Sequence, residues 1–379
     1  MITTPIEAGM LRGALEVERT DVGLLPHRLP TAARRQFPDG YLARMEAMPS
    51  GVRLPFRTEA TVVELDVRPT KAIVEGFPAG PDGVYDLLVD GRLTSRTSVS
   101  GGSVQTVDMT TFSHVTTPGP AGTARFAPLP AGIKDVEIWL PHNEITEVIA
   151  LRTNAPVLAA ADRDQRVWLH HGSSISHGSG ADGPSETWPA LAAANAHVDL
   201  VNLGFGGNAM LDPFTARALR DTAADLISVK IGINLTNADL MRVRAFGPAV
   251  HGFLDTVREG HPTTPLLVVS PLFCPIHEDT PGPGAADIKD GQVRFRATGD
   301  PSDPSRLTLN IIRAQLDRVA EQREDANLQF LDGRELYGDA DYAELPLPDE
   351  LHPSVDGHRR IAERFTKLAF DGPFARATG

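Results

Sequence analysis

Residues 166–178 read RVWLHHGSSISHG, an apolar run that ends in a turn of glycine and serine. The run at 166–171 has the length and composition of a buried strand. Four further strand candidates follow, at 199–203, 226–231, 266–269 and 328–331. Helix candidates lie between and after them, at 187–196, 214–223, 240–259, 306–323 and 355–369. This alternation predicts an α/β domain of three layers, α/β/α, around a mostly parallel sheet.

The first half of the chain has a different pattern. Short strands with alternating apolar residues are predicted at 61–67, 84–89, 135–140 and 145–151, with glycine- and proline-rich turns between them. Strands of this length and spacing are typical of an antiparallel β-sandwich, here of jelly-roll-like type. A short helix is predicted at 42–48. We therefore expect an N-terminal β-sandwich domain over 1–160 and a catalytic α/β domain over 161–379.

Composition narrows the functional class. The 379 residues are 41% hydrophobic and 22% charged, which suits two globular domains. The net charge of −13, with no basic stripe, argues against a nucleic-acid partner. The single cysteine, Cys274, excludes an intrachain disulfide. Because neither a secretory signal nor a long apolar stretch is legible, we expect a soluble cytoplasmic protein without membrane contact.

Polar residues follow the carboxyl ends of the predicted strands, where sites lie in sheets of this kind. Ser174 lies on the turn after the first strand, as a nucleophile would or as an ordinary turn serine would. After the second strand, the glycines of 202–208 could direct backbone N–H groups at an anion or form a flexible turn. Asn234, after the third strand, could donate its amide to an oxyanion or cap a helix.

A fourth polar segment, DELHP at 349–353, precedes the last predicted helix. His352 could face the nucleophile while Asp349 binds its other ring nitrogen and fixes the tautomer. A DxxH pattern is common by chance, so this segment is informative only together with the other three.

The four segments in this order resemble the SGNH (GDSL-like) hydrolase family: GSSIS at 172–176, NLGFGGN at 202–208, GIN at 232–234 and DELHP at 349–353. The resemblance covers residues from about 165 to 370. It implies a serine nucleophile at Ser174, with His352 as base and Asp349 as its partner. It also implies three oxyanion donors: the Ser174 N–H, the Gly207 N–H and the Asn234 side chain.

The sequence departs from the family pattern at two positions. Ser173 and Leu235 stand where the family usually has aspartate. Neither change removes a catalytic atom, but the first leaves Ser173 as a competing nucleophile beside Ser174. The histidines at 170, 171 and 177 lack the accompanying HExxH or Cys/His pattern of a metal site. We expect no metal and no cofactor.

A β-domain ahead of an SGNH unit that opens with WLHHGSSISHG also resembles a set of bacterial GDSL-like proteins. Most proteins of that set are assigned only as esterases, but the resemblance in layout and length to one of them implies an acyltransferase that moves an aromatic, salicylyl-like acyl group from coenzyme A to a hydroxyl of a polyketide. The substrates would then be a small-molecule acyl donor, acyl-CoA, and a small-molecule acceptor. Two alternatives remain open: a carboxylesterase or carbohydrate esterase that uses water, and a catalytically inactive carbohydrate-binding protein.

One segment has neither a predicted secondary structure nor a predicted role. The connection between 270 and 306 is long and rich in proline and glycine, with scattered apolar residues that include Ile288, Val293 and Phe295. Loops of this length are usually functional or disordered. The sequence leaves two readings open: a cover for a bulky apolar substrate, or a floppy connection.

Overall fold

A computed structural model describes residues 1–74, 76, 77, 80–108, 113–160, 164–289 and 291–376. The chain divides into two compact units. The N-terminal unit comprises Met1–Gln165 and Asp182–Ser185, and the C-terminal unit comprises Arg166–Ala181 and Glu186–Gly379. No helix in the described part of the chain is both long and apolar enough to cross a membrane.

The N-terminal unit is built almost entirely of strands. In chain order they are β1 Ile2–Thr4, β2 Glu16–Arg19, β3 Leu24–His27, β4 Arg53–Thr58, β5 Val63–Val74, β6 Val84–Val89, β7 Arg92–Ser98, β8 Ser103–Val107, β9 His114–Thr117, β10 Gly122–Phe126, β11 Lys134–Trp139, β12 Ile145–Thr153 and β13 Val157–Leu158. Two short helices, α1 Thr31–Arg34 and α2 Gly40–Ala47, lie between β3 and β4.

These strands form two sheets. One has the order β2-β3-β12-β5-β8-β9, with β1 beside β12 and β10 beside β5, and the other has the order β13-β4-β11-β6-β7. Side chains of both sheets share one apolar core, to which Leu65 and Val148 contribute from the first sheet and Phe56 and Ile138 from the second. The unit is therefore a two-sheet sandwich, as predicted.

The prediction was incomplete in two respects. Strands β1–β4, β7–β10 and β13 were not among the predicted strands, because several are short or carry polar residues on their exposed side. The pairing is also not wholly antiparallel, since β5 and β8 run parallel from Thr70↔Ser103 to Val74↔Val107. Residue alternation predicts which face a side chain occupies but not the direction of the neighbouring strand.

The aromatic residues of the sandwich are mostly buried. Trp139 is 6% exposed and its Nε1–H donates to Glu137, while Tyr85 is fully buried. Sugar-binding surfaces of sandwich domains need exposed aromatic rings. The burial of Trp139 and Tyr85 removes both from such a surface.

The C-terminal unit alternates strands with helices. Its strands are β14 Val167–Gly172, β15 Asp199–Gly204, β16 Leu226–Lys230, β17 Leu266–Val269, β18 Gly284–Lys289, β19 Gln292–Ala297 and β20 Leu328–Leu331. Its helices are α3 Ser174–His177, α4 Trp188–Ala196, α5 Pro213–Asp221, α6 Ile233–Asn237, α7 Val243–Gly260, α8 Leu309–Gln322, α9 Asp339–Glu344, α10 Val355–Phe365 and α11 Pro373–Arg376. Single 3₁₀ turns lie at Ala8–Met10, Pro184–Glu186 and Gly333–Glu335, and a π turn at Thr366–Phe370 follows α10.

A parallel sheet in the order β15-β14-β16-β17-β20 forms the centre of this unit. Every residue of β16 and β17 is buried, so both faces of the sheet are covered. Helix α4 packs with α10, and α7 packs with α5 and α8. The predicted α/β class and the strand–helix alternation are confirmed, with element ends that differ by a few residues.

The unassigned segment 270–306 contains an antiparallel hairpin, β18–β19, between β17 and α8. The sequence offered a signal for it. Asp290-Gly291 stands between two stretches that alternate apolar and polar residues, and Gly291 has the left-handed φ of 74° that such turns need. The abundance of proline and glycine on either side obscured this pattern.

Helix α10 carries a buried histidine that ties the unit together. His358 accepts a hydrogen bond at Nδ1 from the Trp188 N–H (3.1 Å) and donates from Nε2 to the Ser179 carbonyl (2.9 Å). This pattern requires a neutral ring. Burial lowers the pKa of His358 to about 4, although the hydrogen bond to the Ser179 carbonyl acts in the opposite direction.

Stability should therefore fall in mild acid. The unfolded chain binds a proton at this histidine below pH 6.5 and the folded chain only near pH 4, so the free energy of unfolding decreases as pH falls through that window. From pH 7 to pH 5 the loss due to His358 is about 2 kcal/mol. Urea denaturation of wild type and His358→Gln at both pH values measures it, and the variant should lack this share of the loss.

The exposed His197, in a left-handed conformation that asparagine tolerates, supplies the control. His197→Asn should keep the wild-type pH dependence. Identical pH dependence in His358→Gln and wild type would contradict the assignment.

Candidate active site

The turn after β14 presents Ser174. Gly172 ends the strand, and a Cβ at this position would lie 2.3 Å from Ser176 Oγ, so only glycine lets the turn close this tightly. Helix α3 begins at Ser174 and ends at His177, and Gly178, which follows it, has a φ of 121°. The Ser174 N–H, at the first position of the helix, has no partner within the helix. Its side chain is half-buried.

The loop before α10 brings His352 to this serine. The distance from His352 Nε2 to Ser174 Oγ is 2.9 Å. On the other side of the ring, His352 Nδ1 lies 2.6 Å from Asp349 Oδ2. The second carboxylate oxygen of Asp349 accepts the backbone N–H groups of Leu351 (3.0 Å) and His352 (2.7 Å). The carboxylate is thus held by its own loop and in turn orients the imidazole.

The environment of Asp349 favours its charged form. Burial raises the pKa of this carboxyl, but the hydrogen bond and the charge of the His352 ring, with the two backbone N–H groups, outweigh burial and bring the pKa below its usual range. An ionised Asp349 accepts a hydrogen bond from the Nδ1–H group of His352, which leaves Nε2 as the acceptor that faces the serine hydroxyl.

The glycine-rich segment 202–208, at the end of β15, is called here the glycine loop. It lies directly against the turn after β14 that carries Ser174, called here the nucleophile turn. Asn202 Nδ2 donates to the Ser176 carbonyl (2.8 Å), and the Gly206 N–H donates to His177 Nδ1 (3.2 Å). A Cβ at Gly204 would lie 2.6 Å from the His177 backbone nitrogen, so this contact also needs glycine. Gly207 has a φ of 69°, and its N–H donates to no residue in the described part of the chain.

The Asn loop after β16 is joined to the glycine loop. Asn234 Oδ1 accepts the Ala209 N–H (3.0 Å), which fixes the orientation of the amide. Its Nδ2 is therefore left as a donor, and none of the described residues accepts from it. Gly232, with a φ of 135°, starts this loop, and a Cβ there would meet the Pro271 ring at 2.5 Å.

The structure thus brings the predicted residues together. Ser174 and His352 are in direct contact, as are His352 and Asp349. Gly207 and Asn234 lie on loops that hydrogen bonds connect to the nucleophile turn and to each other. An oxyanion could accept hydrogen bonds from the Gly207 N–H and from Asn234 Nδ2.

The two residues that depart from the family pattern, Ser173 and Leu235, are both buried. Ser173 is fully buried, and its hydroxyl has no hydrogen-bond partner in the described part of the chain. Only the next serine, Ser174, contacts His352, so the geometry favours Ser174 over Ser173. Leu235 is also fully buried.

The histidines near Ser174 have structural partners. His170 bonds Ser228 Oγ (2.7 Å) and Ser176 Oγ (2.8 Å), and burial lowers its pKa well below the usual value. His171 Nδ1 lies 2.7 Å from the Leu203 carbonyl. The described residues contain no group of three or more side chains placed to hold a metal ion.

A contact that the sequence did not predict borders His352. The Phe295 ring, on β19, lies 5.6 Å from the imidazole at 80°, and the Phe295 N–H donates to the Asp349 carbonyl (2.9 Å). Together with Val293, these residues line an open groove, called here the hairpin groove, whose other walls include Pro348, Pro353 and Ser354.

Comparison with known families agrees with this geometry. The model of the GDSL-like lipase/acylhydrolase family matches residues 171–360, which include all four polar segments. The chain belongs to this GDSL-like family. A second model, that of the SsfX3 N-terminal domain, matches residues 10–147. A search of curated proteins finds no match.

Solved structures extend the likeness to nearly the whole chain. The salicylyl-acyltransferase SsfX3 from a tetracycline biosynthetic pathway is 29% identical, with a TM-score of 0.78 over 96% of this chain and 95% of that one. A Bacteroides ovatus protein described as a GDSL-like lipase is 18% identical, with a TM-score of 0.71 over 98% of both chains. A family two carbohydrate esterase from Clostridium thermocellum is 13% identical, with a TM-score of 0.58 over 85% of this chain and 92% of that one.

The geometry predicts the tautomer of His352. With Asp349 as acceptor, neutral His352 carries its proton on Nδ1. Nitrogen-15 NMR of histidine-labelled protein should show, for the neutral His352 ring, a protonated Nδ1 and an unprotonated Nε2, with a strongly downfield Nδ1 proton. Asp349→Ala should abolish that downfield proton signal, whereas Asp356→Ala, an exposed carboxylate on α10, should leave it in place. A downfield signal that survives Asp349→Ala would contradict the assignment.

Proposed function

We propose that this protein is a serine-dependent acyltransferase that works through an acyl-Ser174 intermediate. The observation that supports this most directly is the continuous contact from Ser174 Oγ through His352 to the ionised Asp349. Serine, histidine and aspartate with these roles form a triad that recurs on unrelated folds and is recognised by geometry.

In the first half-reaction Ser174 Oγ attacks the carbonyl carbon of an ester or thioester. His352 Nε2 takes the hydroxyl proton as the new C–O bond forms. The tetrahedral intermediate then collapses, its bond to the leaving oxygen or sulfur breaks, and His352 passes its proton to that atom. Asp349 supports the imidazolium that exists between these two transfers.

In the second half-reaction an acceptor hydroxyl attacks the acyl carbon of acyl-Ser174. His352 takes the acceptor's proton, the bond to Ser174 Oγ breaks, and the proton returns to the serine. The oxyanion of each tetrahedral intermediate is stabilised by the N–H groups of Ser174 and Gly207 and by the Asn234 amide. The reaction balances without a cofactor, and acyl-CoA enters only as a substrate.

The proposed substrates are an aromatic, salicylyl-like acyl group on coenzyme A and a hydroxyl of a polyketide. Support comes from the likeness to SsfX3, which spans both units, and from the SsfX3 N-terminal domain model. The second candidate is an esterase that uses water, since Ser174 is only half-buried and water can reach it. The carbohydrate esterase from Clostridium thermocellum shares this fold, and the fold is compatible with either a transferase or an esterase.

The nucleophile can be tested with a neighbouring control. Ser174→Ala should lower kcat/KM for an acyl ester or acyl-CoA by about 10³-fold or more, because it removes the attacking oxygen. Ser173→Ala removes a buried hydroxyl without a partner and should change kcat/KM only a few-fold. Asn234→Ala should cost about 10²- to 10³-fold by removing one oxyanion donor. Turnover that survives Ser174→Ala and is lost in Ser173→Ala would reverse the assignment.

The acceptor can be identified by product analysis. Salicylyl-CoA is incubated with the enzyme with and without added polycyclic or benzylic alcohols, and the ester is measured against free salicylate. A transferase should divert most of the acyl group into ester as the alcohol concentration rises. Free acid as the sole product at every alcohol concentration would instead favour the esterase.

A further inference from the structure

The β18–β19 hairpin has two chemically different faces. Cross-strand partners share a face, and successive residues alternate between faces. One face carries the pairs Gly284↔Ala297, Ala286↔Phe295 and Ile288↔Val293. The opposite face carries Ala285↔Arg296, Asp287↔Arg294 and Lys289↔Gln292. One side of the hairpin is therefore wholly apolar and the other is mainly charged or polar.

The apolar face is incompletely covered. Ile288 is 49% exposed, and Val293 and Phe295 are only partly buried. An isolated two-stranded hairpin has no core of its own, and apolar surface left in water costs about 25 cal/mol per Å². An apolar strip that begins at His352 and stays open to solvent is suited to an apolar ligand.

The hairpin is fixed to the loop that carries the base. The Phe295 N–H donates to the Asp349 carbonyl, and Arg294 Nη1 lies 3.5 Å from Glu350 Oε1. Tyr342 donates its hydroxyl to the other oxygen of Glu350 (3.1 Å). Because the first of these bonds is made by the main chain, it survives any change of the Phe295 side chain except proline.

The groove lies on one particular side of the reaction centre. Its lining includes His352 and Asp349 but neither Gly207 nor Asn234, which carry the oxyanion donors. The proton on His352 Nε2 is exchanged with the leaving atom in the first half-reaction and with the acceptor hydroxyl in the second. The part of the substrate attached to that atom must therefore lie beside His352.

We propose that the hairpin groove and the apolar face of β18–β19 bind the alcohol portion of the substrate, and that Phe295 selects alcohols with a flat aromatic body. This inference rests on the proposed function. Phe295 and Val293 are two residues apart on one strand, about 7 Å, and Ile288 lies about 5 Å across from Val293. A strip of these dimensions matches a fused aromatic ring system in contact with the Phe295 ring.

The test uses esters of one acyl group with ethanol, benzyl alcohol and 2-naphthylmethanol, whose oxygens have similar basicity. The measured quantity is the ratio of kcat/KM for the naphthylmethyl ester to that for the ethyl ester. This ratio does not depend on the fraction of folded enzyme, and a general effect on His352 cancels from it. Phe295→Ala should lower the ratio about tenfold relative to wild type, and Phe295→Leu should lower it less.

Two controls define the site. Gln292→Ala changes the opposite face of the hairpin and should leave the ratio as in wild type. A second series, with ethanol fixed and the acyl group varied from acetyl to benzoyl to salicylyl, should give the same relative rates in Phe295→Ala and wild type. These results would place the effect of Phe295 on the alcohol side.

An unchanged alcohol ratio in Phe295→Ala would overturn the inference, as would an effect confined to the acyl series. Failure of the proposed function looks different. Ester cleavage that persists in Ser174→Ala refutes the acyl-serine mechanism itself. Inactivity of Ser174→Ala together with an unchanged ratio in Phe295→Ala refutes only the alcohol subsite.

Discussion

The close approach of two turns, after β14 and after β15, is the constraint on which the site depends. Gly204 is the point of contact, because a Cβ there would overlap the backbone and side chain of 176–177, and Gly172 lets the first of the two turns close tightly on Ser176. The Asn202 amide then joins the two turns by donating to Ser176 and accepting from Gly204. Hydrogen bonds thus hold the nucleophile turn and the glycine loop in a fixed arrangement. Their N–H donors are therefore oriented before any substrate binds.

Burial divides the histidines of the C-terminal unit into two kinds. His170 and His358 are fully buried, and burial lowers their pKa values, so they serve as neutral hydrogen-bonding groups that hold elements together. His352 remains partly exposed and has an ionised carboxylate beside it. In the proposed mechanism the base becomes charged during the reaction, and this partner would stabilise the charged ring. Identical side chains therefore differ in role because their surroundings differ in polarity.

Much of the C-terminal unit could be predicted because its signals are local. Apolar runs predicted β14–β17 and β20, and the four polar segments predicted contacts that the structure places between Ser174, His352 and Asp349. Non-local features could not be predicted in the same way. Nothing in the alternation of β5 and β8 specifies that they run parallel. The sequence also cannot show that the hairpin folds back onto Asp349, since that contact is a main-chain bond that any residue at position 295 except proline could make.

The same serine chemistry serves water and alcohol equally, so the choice between them depends on what occupies the space beside His352. Ser174 is half-buried and does not exclude water by itself. Water is always abundant, and an alcohol can compete only if it is bound with its hydroxyl oriented toward the acyl carbon. A flat alcohol on Phe295 and Val293 would also displace water from the groove next to the base. The apolar face of the hairpin is therefore where a hydrolase and a transferase built on this fold would be expected to differ.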